Sequence, residues 1–196
     1  MTSSTVDFDA ARRAMIDSQL RTSGVNEPWV LSRMAAVPRE DFVPADARAV
    51  AYIDRALPLS DGGALAPPLF HARLLAEAKP MPSDRVLVVD GGSGYLPALL
   101  EGMVKSVEVI SPAEATDGHG GGSVALLLVD GAVEDIPDVL AERLADDGRV
   151  VTGMIEDGVT RLAIGRKAAG TIALLPLAEM GIPRLAAFDK RRVWSF

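Results

Sequence analysis

The sequence predicts an α/β protein with a doubly wound, mostly parallel β-sheet, antiparallel edge strands and an N-terminal helical extension. Residues 81–176 alternate short apolar runs with helical segments, as strand–helix–strand units do. Residues 1–80 instead show helical periodicity. The 196 residues suit one domain with a sizeable core. We therefore expect a single domain over 1–196, with a C-terminal segment at 177–196.

Helices are expected throughout the first eighty residues. Residues 7–22 place apolar side chains on one half of a helical circumference, and this helix ends at Gly24. In the second helix, Asn26 is the expected N-cap, Pro28 lies in the first turn and Pro38 ends the pattern. The other expected elements of this region are a short helix over Ala45–Ile53, an exposed loop over Leu57–Ala66 and a helix from Pro67 to Lys79.

The strands of the sheet are predicted from apolar runs that suit burial on both faces. The first, Arg85–Asp90, precedes a helix over Tyr95–Met103. A tight turn at Glu156-Asp157-Gly158 returns the chain as an antiparallel strand. The other expected elements are strands over Ser106–Ile110 and Ser123–Asp130, a helix over Ile136–Ala145, and strands over Arg149–Ile155, Thr160–Lys167 and Thr171–Pro176.

Composition excludes several kinds of site and partner. The chain has no cysteine, which removes thiolate metal sites, and its two histidines, His71 and His119, are too few to predict a metal centre. A net charge of −7, with only small basic clusters at Arg12-Arg13 and 190–192, argues against nucleic-acid binding. No apolar run reaches the roughly 20 residues of a membrane span, and the polar start lacks a signal-peptide core. We expect a cytoplasmic protein with no membrane contact.

The stretch 86–95, VLVVDGGSGY, is the clearest candidate for a cofactor site. Glycines directly after a first strand let the backbone approach a ligand closely, and the following helix offers free N–H groups at its N-terminus. Steric demands of the turn alone are the alternative explanation. The residues expected to contact a cofactor here are Asp90, Gly91, Gly92, Gly94 and Tyr95.

The acidic partner of such a loop is displaced in this sequence. An acid that binds the ribose hydroxyls usually lies about 20 residues further on, at the end of the second strand. That count reaches Ile110 and Ser111, neither of which is acidic. The nearest acids are Glu108, within the strand, and Glu114, beyond it. We therefore add Glu108 to the candidate cofactor contacts.

Four segments resemble protein-L-isoaspartate O-methyltransferases and occur in that family's order. They are MIDSQL (15–20), VLSRMAAVPREDFVP (30–44), AYIDRALPL (51–59) and VLVVDGGSGY (86–95). Residues 123–151 and 161–167 resemble the family's second half. The resemblance implies a truncated Rossmann-like S-adenosylmethionine methyltransferase fold. It also implies that S-adenosylmethionine methylates the carboxylate of isoaspartyl residues in damaged proteins or peptides.

Several positions that carry the family's chemistry differ here. The family's Thr-Ile-Ser-Gln-Pro loop, whose serine hydroxyl lies at the reacting carboxylate, corresponds to 64–68. Ala66 stands at the serine position, so the resemblance yields no catalytic residue. Val88 replaces the glutamate of the glycine motif, and Asp90 replaces its first glycine. Ser111 stands where the family has the acid that binds ribose.

A family segment is missing after the second strand. The family places a helix, a strand and an acidic loop on the adenine side of the pocket, which needs roughly 25 residues. Only Pro112–Gly122 are available, and four of these eleven residues are glycine. A hydrogen bond to a charged group contributes about 1.5–3 kcal/mol, so loss of both acids costs about 3–6 kcal/mol. A micromolar site of about −8 kcal/mol would become millimolar or weaker.

Two functions remain open from the sequence. One is an active methyltransferase with a reduced pocket, in which Glu108 or Glu114 compensates for the lost acid. The other is a non-catalytic pseudoenzyme that binds proteins or oligomerises, with 112–122 as a connecting loop. The deletion favours the second, and a homodimer could cover an exposed sheet edge. Trp194 and Phe196 are expected to pack into the core, with contact to a partner as the alternative.

Overall fold

A six-stranded sheet organises the protein, which a computed structural model describes over residues 6–118 and 120–190. Four neighbouring strands pair in parallel. Two further strands pair antiparallel at one edge of the sheet. The strands are β1 (Leu57–Pro58), β2 (Ala64–Leu65), β3 (Arg85–Val89), β4 (Ser106–Ile110), β5 (Val124–Val133), β6 (Leu144–Glu156), β7 (Val159–Ala168) and β8 (Thr171–Glu179). Their order is β4-β3-β5-β6-β7-β8, with β1 and β2 as a separate hairpin. The predicted α/β fold class is confirmed.

Helices cover both faces of this sheet. In the described residues the α-helices are α1 (Phe8–Met15), α2 (Pro28–Ala36), α3 (Pro68–Ala78), α4 (Tyr95–Leu100), α5 (Pro112–Asp117) and α6 (Asp138–Glu142). A π-helical turn over Ile16–Leu20 continues α1. No helix in 6–118 or 120–190 is long and apolar enough to cross a bilayer.

The core has two parts because β3 is buried on both faces. Val86 and Val88 belong to the cluster that packs under α2, α3 and α4. Leu87 and Val89, which alternate with them, belong to the cluster on the opposite face, beside α5 and α6. All four side chains are almost completely buried. A strand that is buried on both faces has a continuous run of apolar residues, and this pattern is what predicts β3 from the sequence.

Helix α2 has a different N-cap from the predicted one because of the proline that begins the helix. The N-cap is Glu27, with ψ of 114°, rather than Asn26. The ring of Pro28 disfavours a helical conformation in the residue before it, so Glu27 is held extended and the helix begins directly after it. The helix ends at Ala36, in agreement with the expected stop before Pro38.

Two predictions for the N-terminal region are wrong: the short helix over 45–53 and the exposed loop over 57–66. The stretch 45–53 forms tight turns with one short 3-10 segment, Arg48–Val50, rather than a helix. The stretch 57–66 contains the β1–β2 hairpin, and its apolar residues Leu57, Leu65 and Ala66 are buried. These side chains pack into the first core cluster, which draws the hairpin onto the sheet.

Three elements after residue 95 also differ in extent. The helix expected over 136–145 shrinks to α6, because Leu144 already pairs with Val124 in the sheet. Helix α4 ends at Leu100 rather than at Met103. The stretch expected to be a connecting loop includes helix α5, which uses residues 112–117. No strand lies between α5 and β5, so β4 forms the edge of the described sheet.

Candidate cofactor site

A cavity of about 590 Å³ lies at the carboxyl ends of β3 and β4. Doubly wound sheets bind their ligands at this edge, outside the carboxyl ends of the strands. Four segments line it: 61–63 in the β1–β2 hairpin, 90–92 in the glycine loop, 109–113 at the β4–α5 junction, and 184–187 near the end of the described chain.

Of the predicted cofactor contacts, Asp90, Gly91 and Gly92 line this cavity, whereas Gly94, Tyr95 and Glu108 do not. Gly92 and Gly94 have φ angles of +107° and +70°, in the left-handed region that favours glycine. The glycine loop therefore has the backbone form that its sequence predicts. The part of the loop that lines the cavity is 90–92.

The side chain of Asp90 satisfies the backbone donors of this loop. Its carboxylate accepts hydrogen bonds from the backbone N–H of Gly92, at 3.0 Å, and of Gly94, at 3.1 Å. A ligand that approaches the loop would have to compete with this carboxylate for both N–H groups. The position that the family fills with glycine thus carries an internal anion.

The β1–β2 hairpin lies directly on the glycine loop. The backbone N–H of Ala64 donates to the carbonyl oxygen of Gly91 at 3.0 Å. A Cβ atom on Gly63 would lie 2.5 Å from that same oxygen, so only glycine allows this approach. Asp61, in the same hairpin, accepts from the Gly63 N–H at 3.1 Å. The cavity therefore has two carboxylates, those of Asp61 and Asp90, on one wall.

The environment of Asp90 disfavours its charged form. Burial raises the pKa of this carboxyl group, and the nearby Asp130 carboxylate raises it further. The N–H groups of Gly94 and Gly92 oppose this shift, because they stabilise the anion. The net pKa is raised.

Ser111 and Glu114 cap the N-terminus of α5. The Ser111 Oγ accepts from the Glu114 backbone N–H at 3.3 Å, and Glu114 Oε2 accepts from the Ser111 N–H at 2.8 Å. This reciprocal pair is a capping box. Both residues that could bind a ribose hydroxyl at the end of β4 are thus engaged within the helix start.

Glu108 pairs with an arginine and does not line the cavity. Its Oε2 accepts from Nη2 of Arg143 at 2.7 Å. Arg143 lies between α6 and β6 and also donates to the Gly122 carbonyl. That Glu108 contacts a cofactor stays a prediction, and the residue lies outside the cavity lining.

Tyr95 and Ala66 lie in the core beneath the cavity. The Tyr95 ring is fully buried and makes edge contacts with the rings of Phe42 and His71, each at 5.1 Å between centroids. Ala66 is also fully buried, and its carbonyl oxygen accepts from Nη2 of Arg39 at 2.7 Å. A buried methyl group therefore occupies the position at which the resemblance implies a serine hydroxyl.

A buried polar network that sequence reasoning missed supports this core. Arg39 Nη1 contacts His71 Nδ1 at 3.2 Å, and His71 Nε2 contacts Asp130 Oδ1 at 2.9 Å. Since the guanidinium can only donate, His71 Nδ1 accepts, and Nε2–H donates to Asp130. His71 is fully buried on α3. The signal was a histidine among the apolar residues of a helix.

Burial makes the charges of this network interdependent. The pKa of Arg39 is lowered by burial, which is opposed by Tyr95 and by the Asp130 carboxylate. The Arg39 guanidinium lies 4.7 Å from the centroid of the Tyr95 ring. Asp130 Oδ2 is buried without a hydrogen-bond partner in the described structure. The network therefore contains one cation and one anion bridged by a neutral imidazole.

Metal binding is not supported by the described residues. Within 6–118 and 120–190, no group of three or more His, Asp or Glu side chains is arranged to hold an ion. His119 lies outside the described residues, as do Trp194 and Phe196, whose expected packing into the core stays a prediction.

The buried network predicts non-additive effects on stability. We expect Arg39→Met and Asp130→Asn each to lower the free energy of unfolding by about 3–5 kcal/mol, because each leaves an uncompensated buried charge. The double variant should lose much less than the sum of the two, since it removes both charges. Urea denaturation of the four proteins measures this coupling. Additive losses would contradict a shared network.

The raised pKa of Asp90 predicts a pH-dependent stability difference. Its folded-state pKa lies above the unfolded value, so the ionised carboxylate destabilises the fold at neutral pH. This penalty is lost as the pH falls through the folded pKa. We expect the stability of the parent relative to Asp90→Asn to rise from about pH 7 to about pH 4. Denaturation of both proteins across this range measures the difference, and an opposite trend would contradict the assigned shift.

Comparison with known proteins identifies the family. The family model for protein-L-isoaspartate(D-aspartate) O-methyltransferase matches residues 10–117. A protein-L-isoaspartate O-methyltransferase of Koribacter versatilis is 35% identical, with 84% of this chain and 86% of that protein covered. One of Roseiflexus castenholzii is 36% identical, with 74% of this chain and 78% of that protein covered.

The alignments with these relatives contain a gap in this chain. The first spans 190 positions but covers 84% of 196 residues, about 165, which leaves about 25 positions without a residue here. The second spans 171 positions for 74% of the chain, about 145 residues. Both shortfalls equal the size of the segment expected to be missing. The family model stops at residue 117, immediately before the glycine-rich stretch.

A solved structure shares the fold. It is a Plasmodium falciparum protein-L-isoaspartate O-methyltransferase in complex with S-adenosyl-L-homocysteine, with a TM-score of 0.71 and 17% sequence identity. The match covers 93% of this chain and 100% of that one. Together, the family-model match and the identity over most of the chain establish that this protein belongs to the protein-L-isoaspartate O-methyltransferase family.

Proposed function

We propose that this chain is a member of its family in which binding of S-adenosylmethionine, and with it carboxyl methylation of isoaspartyl residues, is weakened or lost. The observation that carries this proposal is the Asp90 carboxylate bound to the N–H groups of Gly92 and Gly94. These donors belong to the loop through which such folds approach a cofactor closely. An internal anion already satisfies them.

The nucleoside side of the pocket supports the same proposal. Ser111 and Glu114 cap α5, and Glu108 pairs with Arg143. This chain has about 25 fewer residues than its aligned relative over the matched span, and the sheet of its described residues has no strand beyond β4 to form a further wall. Adenine and ribose would therefore lose polar partners that contribute about 1.5–3 kcal/mol each. The residues present do not fit the cofactor well.

The substrate side lacks its positioning hydroxyl. Methyl transfer to a carboxylate depends on in-line placement and exclusion of water rather than on acid–base chemistry. In this chain Ala66 offers a buried methyl group at the expected serine position. Loss of orientation at this point would lower the rate even if a cofactor were bound.

The alternative that we favour as a present role is a non-catalytic module that binds proteins. The N-terminal segments at 15–20, 30–44 and 51–59 retain the sequence of the family, which acts on isoaspartyl-containing proteins. Recognition of a protein or peptide could therefore outlast cofactor binding. We also propose a cytoplasmic location.

Calorimetric titration with S-adenosylhomocysteine tests the cofactor claim. We expect the parent to show no saturation below about 1 mM, because its loop donors are occupied. Asp90→Gly frees both N–H groups and should tighten binding roughly tenfold, as expected for two hydrogen bonds. Asp90→Asn is the matched control, since its side-chain oxygen can still accept from the loop and binding should stay weak. A micromolar dissociation constant for the parent would refute the proposal.

Methyl incorporation into an isoaspartyl peptide tests the catalytic claim separately. We expect the parent to transfer no label above a control without enzyme. Ala66→Ser alone should not restore turnover, because the cofactor side remains defective. Clear turnover by the parent would assign it to the active members of the family.

We further propose that the chain forms a homodimer through the edge strand β4. The other edge strand, β8, contains Pro176, which has no N–H to donate to an additional strand. Strand β4 has no proline, and its Val109 is 48% exposed. An unprotected edge of this kind invites pairing with another chain.

Sedimentation velocity over a range of concentrations tests the dimer. We expect the parent to sediment as a dimer and Val109→Lys to shift it to monomer, because a charge on the edge opposes pairing. Leu177→Lys places the same charge on the opposite edge, where the native leucine is 42% exposed, and should leave the dimer intact. A monomeric parent at high concentration would remove the proposal.

A further inference from the structure

Strand β4 directs two backbone N–H groups and two carbonyl groups to the outer edge of the sheet. The Ile110 carbonyl oxygen accepts from the Asp90 N–H at 2.9 Å, so Ile110 bonds toward β3. Because the hydrogen-bonding groups of a strand alternate in direction from residue to residue, those of Val107 and Val109 point away from β3. Among the described residues, no strand pairs with this side of β4.

The two faces of β4 differ in chemistry at this edge. Val107 packs against the first core cluster and borders a groove of about 410 Å³. The other apolar side chains of this groove are Pro97, Ala98, Leu100 and Val104. Val109 lies on the same face of the strand and is exposed. On the opposite face, Glu108 is half-buried and pairs with Arg143 at 2.7 Å.

A second copy of β4, running antiparallel to the first, fits the outward backbone groups. In an antiparallel pair, two outward residues that face each other exchange both of their hydrogen bonds. A pair centred on Glu108 places Val107 of each copy opposite Val109 of the other. All four outward groups of each copy are then bonded. A twofold axis relates the copies, so the assembly closes as a dimer.

The two adjacent registers that match outward groups are less complete. A pair centred on Val109 requires the Ser111 N–H, which already donates within the N-terminal cap of α5 at 2.8 Å. A pair centred on Val107 requires the Lys105 N–H, which already donates at 2.9 Å to the carbonyl oxygen of the residue before β3. The register centred on Glu108 requires neither group.

The same register matches the side chains on both faces. The exposed Val109 of each copy lies against Val107 of the other, at the rim of the apolar groove, which removes apolar surface from water. On the opposite face, the two Glu108 side chains adjoin at the axis. Like charges in this position repel, but each carboxylate is paired with Arg143 of its own chain. The four groups together carry no net charge.

We propose that two copies of this chain join by antiparallel pairing of their β4 strands, centred on Glu108. This inference rests on the homodimer proposed above and adds its register and its twofold axis. It also gives the Glu108–Arg143 pair a role, because the arginine neutralises a carboxylate that the axis places beside its own copy.

Disulfide cross-linking tests the register, because the chain has no cysteine of its own. We expect Glu108→Cys to cross-link with itself, since facing residues at the axis have Cα atoms about 4.5 Å apart, within the range of a disulfide. Val107→Cys and Val109→Cys, one of them carrying an affinity tag, should cross-link several-fold faster when mixed than either does alone. Two copies of either residue lie on a diagonal of about 7–8 Å, which is too long.

The matched control is Leu177→Cys, an exposed position on the opposite edge strand, which should not cross-link. Circular dichroism confirms that each variant is folded, and sedimentation gives the oligomeric state of the parent. Rapid cross-linking of Val109→Cys with itself would overturn this register while leaving the homodimer in place. A dimeric parent without cross-links at any β4 position would assign the interface to another surface and also overturn it. A monomeric parent would remove this inference and the proposed homodimer together.

Discussion

A buried hydrogen-bond network joins the helical region to the sheet. Arg39 follows α2, His71 lies on α3 and Asp130 lies near the end of β5. Their hydrogen bonds therefore connect three parts of the chain that are far apart in sequence. Arg39 also donates to the carbonyl oxygens of Ala51 and Ala66. In a water-free interior each of these groups depends on the others for a partner. The position of the β1–β2 hairpin, and hence the roof of the cavity, follows from this arrangement.

The same arrangement places the hairpin over the glycine loop, whose N–H groups donate to Asp90. The hairpin brings Gly63 into close contact with the carbonyl oxygen of Gly91. The glycine loop has the positive φ angles that are typical of a ligand-binding turn. Asp90 then occupies the inside of the turn with its own carboxylate. A loop of this geometry stabilises an anion whether it belongs to a ligand or to the chain. Its conformation is therefore no evidence of a bound partner.

The sequence predicted the elements whose determinants are local. The bounds of β4 agree with the expected strand 106–110, and the hairpin turn at 156–158 has positive φ at Asp157 and Gly158, as its composition requires. The contact between Asp90 and the loop was also foreseeable, because an aspartate commonly binds N–H groups two residues onward.

The remaining features depend on distant partners. His71 and Asp130 are 59 positions apart, and no local sequence motif predicts that they contact each other. The shortening of α6 has a similar cause, since pairing of Leu144 with Val124 overrides a helical pattern. Helix α5 was missed because the glycines of 112–122 indicated a connecting loop, whereas Ser111 and Glu114 form a helix cap. In each case a longer-range or competing interaction decided the outcome.

The position of β4 at the margin of the sheet has an evolutionary consequence. A strand at the margin supports no other strand, so a segment beyond it can be discarded while the pairing of β3 with β4 and β5 stays intact. Deleting a central strand would instead split the core. Ligand binding and foldability are thus encoded in separable portions of this architecture, and a lineage can shed the first while natural selection preserves the second.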